Sequence, residues 1–455
     1  MLRHFATVRR LLIALPVAAI AVTAFSGWAG AVAVERVVSK GGIEAWFVRD
    51  TSVPLISVQF SFRGGAALDP IDKTGLANLT ASLLDEGAGE LDSHAFQERL
   101  QNLSIQLNFD ADYESFGGSM KTLNRNRDEA VRLLRLALTK PRFDAPDVER
   151  MTGEIVAGIK QRSSRPGYLA QRVWQQAIFP KHPYGRPVTG SETSLKAVTQ
   201  ADLKGFVKSH LGKDRLLVGV AGDITKDELG ALLDAAFGDL PAKAAAGNIP
   251  DAEPAALGYT FLLSRQVPQS VAVFGLPGLK RSDPDFYAAF VMNHILGGGS
   301  FSSWLYEEVR EKRGLAYSIY SYLQARRGAP FWMGSVATAN AGMAKSVDLI
   351  RSQVQKMHDE GVSDEQLENA KLFLNGSFPL RFTSTDRVAS ILVHMRFYNL
   401  GIDYLDRRVG LIDSVTKADI ARVAKRFLDP KKLTFAVVGQ PDGLTGTEKA
   451  PEIEG

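Results

Sequence analysis

Val198-Thr199-Gln200-Ala201-Asp202-Leu203, followed by the apolar run Leu216-Leu217-Val218-Gly219-Val220-Ala221-Gly222, has a second copy near the C-terminus. That copy reads Val415-Thr416-Lys417-Ala418-Asp419-Ile420, then Leu433-Thr434-Phe435-Ala436-Val437-Val438-Gly439. In both, a Thr stands where a helix begins, and its hydroxyl can accept from first-turn N–H groups that lack a helical partner. In both, the apolar run reads as a buried strand. Two copies are too few for a solenoid, and they fit a duplicated domain.

The start of each half agrees. Ile56 to Phe62 reads as a strand and Gly75 to Leu84 as a helix; Val271 to Gly275 and Pro284 to Leu296 repeat that order. Pro241 to Gly258, rich in Ala, Pro and Gly, reads as the linker. The expected domains are residues 34–240 and 259–442, with a flexible tail at 443–455. Strands and helices do not alternate strictly. The expected fold class is therefore α+β: two homologous domains, each a mainly antiparallel β-sheet with helices on one face.

Composition narrows the class. The chain has 455 residues, 45% apolar and 23% charged, which suits two soluble globular domains. It has no Cys, so disulfides, thiolate metal sites and cysteine nucleophiles are excluded. Residues 1–33 read as an export signal: Arg3, Arg9 and Arg10, then apolar Leu11 to Phe25, then Ala31-Val32-Ala33. Cleavage is expected after Ala33, with Ala31 the alternative site. A retained anchor is the rival reading, although the run is short against the ~20 residues of a membrane span. Removing the signal lowers the formal charge from +4 to +1, so the basic pI gives no case for nucleic acid. The expected location is the periplasm, with no membrane span after signal cleavage.

The helix at 75–84 is where chemistry is first sought. Leu76, Leu79, Leu83 and Leu84 form its core stripe, and Asn78, Ala81 and Ser82 fall on the opposite side. Positions 78 and 82 stand one turn apart, the spacing that two zinc-binding His of an H-x-x-E-H helix would need. With Arg63-Gly64-Gly65 and Asp69-Pro70 before it, Gly75-Leu76-Ala77 resembles the entry to the zinc helix of insulinase/pitrilysin-type (inverted-zincin) peptidases. The resemblance implies that Asn78 and Ser82 occupy the two His positions and Ala81 that of the general-base Glu. The third ligand is a Glu on a later helix, and the register through Pro166 and His182-Pro183-Tyr184-Gly185 puts Gly158 there. Ala and Gly have no ligand atom, and Ser and Asn are poor zinc ligands. None of the seven His are spaced i and i+4, which leaves no substitute site. The implication is a pseudopeptidase that binds no cofactor of its own.

The second half resembles the same family, most closely its mitochondrial-processing-peptidase-like bacterial branch. The matching block runs from Leu296-Gly297-Gly298-Gly299-Ser300-Phe301-Ser302-Ser303 to Arg310-Glu311-Lys312-Arg313-Gly314-Leu315-Ala316-Tyr317. In that family an Arg and a Tyr at the spacing of Arg310 and Tyr317 hold the substrate backbone and stabilise the oxyanion. On their own residues, Arg310 reads as part of a solvated helix face and Tyr317 as the start of an alternating strand. Gly297-Gly298-Gly299 lacks the Gly-Lys-Ser/Thr of a phosphate loop. Arg162, Arg165, Arg326 and Arg327 read as solvated loop cations.

The resemblance implies a non-catalytic subunit of a periplasmic heterodimeric metallopeptidase. Its partner would be an exported paralogue with an intact H-x-x-E-H that carries the zinc, and its substrates peptides. Arg310 and Tyr317 would act in trans. The alternative is a stand-alone peptide-binding, chaperone-like or scaffold protein without hydrolysis.

Overall fold

The computed structural model describes residues 33–453, so all of the expected export segment except Ala33 lies outside the described residues. Two six-stranded sheets carry the fold. The first holds β1 (Glu35–Val38), β2 (Glu44–Arg49), β3 (Leu55–Arg63), β4 (Gln106–Ala111), β5 (Ser115–Leu123) and β6 (Leu216–Gly222). Their order is β1-β2-β6-β3-β5-β4, antiparallel throughout except where β2 meets β6. The second holds β7 (Thr260–Ser264), β8 (Gln269–Pro277), β9 (Ala316–Gln324), β10 (Phe331–Ala339), β11 (Thr434–Gly439) and β12 (Glu448–Lys449), in the order β12-β7-β11-β8-β10-β9. Counting inward from each open edge, β4, β5, β3 and β6 match β9, β10, β8 and β11. The fold is α+β and built twice.

The repeated blocks have the expected roles. Thr199 and Thr416 both cap helices in reciprocal capping boxes, each with an Asp three residues on. The runs that follow become β6 and β11, buried along their whole lengths. Each half has its own core between sheet and helices, built on residues such as Phe60, Phe116 and Leu134 in one and Phe274, Trp332 and Ile350 in the other.

The helices are not confined to one face of each sheet. The helix Pro166–Ile178 of the first half packs on β8 and β11 of the second sheet, and the helix Thr385–Phe397 of the second half packs on β3 and β6 of the first. Each half thus lends a helix to the other. A strand buried on both faces needs a cover on both faces, and β6 and β11 obtain the second one by this exchange. Glycines permit the close approach: a Cβ on Gly219 would fall 2.4 Å from the Ala389 carbonyl oxygen, and one on Gly275 would fall 2.6 Å from the Trp174 indole. Trp174 also donates Nε1–H to the Thr434 carbonyl at 3.3 Å.

Residues 241–258 hold no helix or strand. They are nevertheless fastened at intervals, for example by the Ala255 N–H to the Ile178 carbonyl at 2.8 Å. His182 accepts the Tyr184 N–H on Nδ1 at 3.2 Å, which leaves Nε2 to donate to the Pro250 carbonyl at 3.1 Å. The segment after 442, expected to be a flexible tail, adds β12 alongside β7, and Ala450 and Ile453 pack on the core between the halves. Arg326, read as a solvated loop cation, is instead 7% exposed, its guanidinium 4.1 Å from the Tyr113 ring centroid and 4.9 Å from that of Tyr184. Aromatic faces replace water around it. No described helix is long and apolar enough to cross a membrane.

Candidate functional site

The helix at the first site spans Leu76–Ala81, shorter than the 75–84 that periodicity predicts. Beyond Ala81 the chain tightens into single turns, with the Leu83 N–H on the Thr80 carbonyl at 3.1 Å. Gly75 starts the helix at φ +98°, where a Cβ would also meet Gly190 at 2.9 Å. The Asp69 carboxylate accepts the N–H groups of Gly75 at 2.9 Å and Ala77 at 3.1 Å, which fixes this end. Burial pushes the Asp69 carboxyl up to about 7, against the downward pull of those N–H groups and of Arg186.

Leu76, Leu79, Leu83 and Leu84 enter the core as the stripe requires. Asn78 and Ser82 are half-buried one turn apart, and the Ser82 hydroxyl donates back to the Asn78 carbonyl at 3.0 Å. Ala81 is buried. Gly158 lies on the neighbouring helix Ala145–Ser163, and a Cβ there would meet only Arg162 Nη1, at 3.8 Å. Zinc, which the fold family implies, does not fit this donor set: an amide, a methyl, a hydroxyl turned to a backbone carbonyl, and no side chain at 158. No group of three or more His, Cys, Asp or Glu among the described residues is placed to hold a metal.

The second site lies on the other sheet. The helical segment His294–Gly298 ends in the glycines, and Gly297 presses on Ser321 of β9, where a Cβ would fall 2.4 Å from the Ser321 hydroxyl. Asn293, just before it, accepts from the Trp332 Nε1–H at 2.7 Å and the Ser321 hydroxyl at 2.8 Å. β9 is thereby held firmly, although it forms the open edge of the sheet. Arg310 lies in the segment Glu307–Glu311, and Gly314, at φ +61°, turns the chain into β9. Tyr317 then falls in a β-bulge, because Ala316 pairs with Thr338 and Ile319 with Val336, two residues facing one.

This turn and bulge bring the pair together. The Arg310 guanidinium lies 4.8 Å from the ring centroids of both Tyr317 and Tyr306, and 5.9 Å from that of Phe301. Its nearest carboxylate, Glu311, is at 3.8 Å, a loose pairing that leaves the fork free to donate. Tyr317 is 83% exposed and Phe301 75% exposed. The result is a cation and a phenol at an accessible sheet edge, flanked by aromatic rings. Tyr306 was not singled out by sequence reasoning. Its only signal was its spacing, four residues before Arg310 on a helical stretch.

Residues 197–374 match the family described as the peptidase M16 inactive domain. The non-peptidase homolog YmxG of Helicobacter pylori is 27% identical over 415 residues, covering 91% of this chain and 96% of that protein. A probable mitochondrial-processing peptidase subunit beta of Schizosaccharomyces pombe is 24% identical, covering 84% of this chain and 85% of that one. The crystal structure of a peptidase M16 inactive domain from Pseudomonas fluorescens superposes with a TM-score of 0.84 at 25% identity, covering 92% of this chain and all of that one. Over nearly its whole length the chain is thus similar to non-peptidase, insulinase-like M16 proteins.

Proposed function

We propose that this chain is the non-catalytic subunit of a periplasmic heterodimeric zinc peptidase. An exported paralogue with an intact H-x-x-E-H carries the zinc, and this chain supplies half of the peptide chamber together with Arg310 and Tyr317. The observation that carries the reading is the stacking of Arg310 on an exposed Tyr317 at a bulged sheet edge. Packing alone does not call for a nearly bare tyrosine held beside a loosely paired arginine. A peptide pairing with an open sheet edge brings its carbonyls into reach of both donors, and a charged fork with a phenol suits a developing oxyanion. A relative whose name marks it as one subunit of a processing peptidase supports the same reading. The test is reconstitution with the zinc-bearing paralogue. Tyr317→Phe should lower kcat by about 10²–10³ with assembly intact; wild-type turnover by the assembled variant would overturn the role of the pair.

A further inference from the structure

A cavity of about 770 Å³ lies between the two halves. Its walls come from the end of β3, the β4–β5 turn, the linker, the β9–β10 turn and the residues just after the helix Thr385–Phe397. Five cations line it against three carboxylates. Each of the three carboxylates already has a partner, and that of Asp251 is Lys280, itself one of the five cations. Glu114 accepts from the Tyr184 hydroxyl and from the Arg327 and Gly328 N–H groups. Asp214 takes the Ala244 N–H at 2.8 Å, and Asp251 bridges Lys280 at 3.1 Å.

The four guanidinium groups in the wall do not pair with these carboxylates. Arg63 donates to the carbonyls of Arg396 and Phe397, and Arg215 to those of Arg63 and Gly247. Arg281 donates to the hydroxyls of Tyr287 and Tyr404. Arg327 is exposed. The guanidinium groups of Arg63 and Arg327 lie 6.0 Å and 5.9 Å from the same Phe397 ring centroid. Burial, and then the charge of Arg327, hold Arg63 below the ordinary guanidinium range, and its buried Nε has no partner. Neighbouring like charges in a partly desolvated wall cost energy that a bound anion would recover.

We propose that this cavity binds a peptide through its acidic side chains. A guanidinium fork matches a carboxylate with two parallel hydrogen bonds. Forks spread around a cavity of this volume suit several separate carboxylates better than one compact ion. The rings of Phe397 and Tyr398 give the peptide's apolar stems a surface to lie on. The cavity also adjoins the turn that follows β9. This goes beyond the heterodimer reading and does not depend on it, because binding belongs to this chain alone.

The experiment is fluorescence anisotropy on the isolated chain, with a labelled octapeptide carrying four Glu and its all-Gln counterpart. The Glu peptide should bind saturably, and more weakly as salt rises from about 20 mM to about 200 mM. The Gln peptide should not bind. Arg327→Gln and Arg281→Gln should each weaken binding about tenfold. Arg125→Gln, an exposed arginine remote from the cavity wall, should leave it unchanged. Equal losses for Arg125→Gln and Arg327→Gln would reduce the effect to net charge and overturn the proposal. So would tight binding of inorganic tripolyphosphate without binding of the Glu peptide, or equal binding of the two peptides.

Discussion

Restoring the missing ligands gives the sharpest test of the register at the first site. The perturbation is the combined change Asn78→His, Ala81→Glu, Ser82→His and Gly158→Glu. Positions 78 and 82 are half-buried and one turn apart, so two imidazoles fit without entering the core. At 158 the nearest atom to a new Cβ is Arg162 Nη1 at 3.8 Å, and replacing Gly inside a helix adds about 0.5 kcal/mol of helix propensity. Position 81 bears the cost. Ala81 is 4% exposed within the core cluster, and an unpaired carboxylate there would be raised by about two pKa units or more, or about 3 kcal/mol. The metal-free variant should therefore melt roughly 6 °C below the wild type. Zinc at a thousand times its Kd contributes about 4 kcal/mol, enough to restore that loss. The assay is thermal unfolding with and without zinc, alongside metal analysis. A folded variant whose melting temperature ignores zinc would refute the register; a zinc-dependent rise in the wild type would refute the claim that its own residues cannot hold the metal.

Three further outcomes are expected. Trp174→Ala should cost about 3–5 kcal/mol in denaturant unfolding and loosen the halves, because the indole fills the space left by Gly275 on the opposite sheet; a loss under about 1 kcal/mol would contradict the helix exchange. In the reconstituted enzyme, Arg310→Ala combined with Tyr317→Phe should lose less activity than the product of the two single changes, as residues serving one oxyanion do; independent effects would separate their roles. His210 is stacked on Phe206 at 3.9 Å, and burial pulls its imidazole down to about 4. The fold thus favours the neutral ring, so this contribution is complete above about pH 6.5 and lost as pH falls towards 4, on the order of 3 kcal/mol at most. His210→Phe should flatten the acid limb of the stability profile between those limits, and an unchanged limb would contradict the burial argument.

Much of the fold was legible because local and global signals coincide. Thr199 and Thr416 cap, and the runs after them become β6 and β11, so caps and hydrophobic runs alone disclose the duplication. The exchanged helices were not legible in the same way. Pro166 marks the start of one and its burial is nearly all-round, but nothing local says which sheet it covers. The hint lay in β6 and β11 themselves: runs apolar on both faces need two covers, so helices on one face could not suffice. The first site was legible by spacing, since the leucine stripe fixes which way positions 78 and 82 point. Helix length was not, because the tightening after Ala81 is a tertiary effect. Arg326 looked like an ordinary loop cation because its aromatic surroundings come from Tyr113, Tyr184 and Phe331, remote or beyond the turn in sequence.

The most direct measurement is zinc content and peptide turnover of the chain, first alone and then purified with the zinc-bearing paralogue proposed as its partner. The chain alone should hold no stoichiometric zinc and cleave nothing, and the complex should hold one zinc per heterodimer and turn over only when both chains are present. One zinc per chain in the isolated protein, or full turnover by the paralogue without it, would contradict the reading of this chain as the non-catalytic subunit.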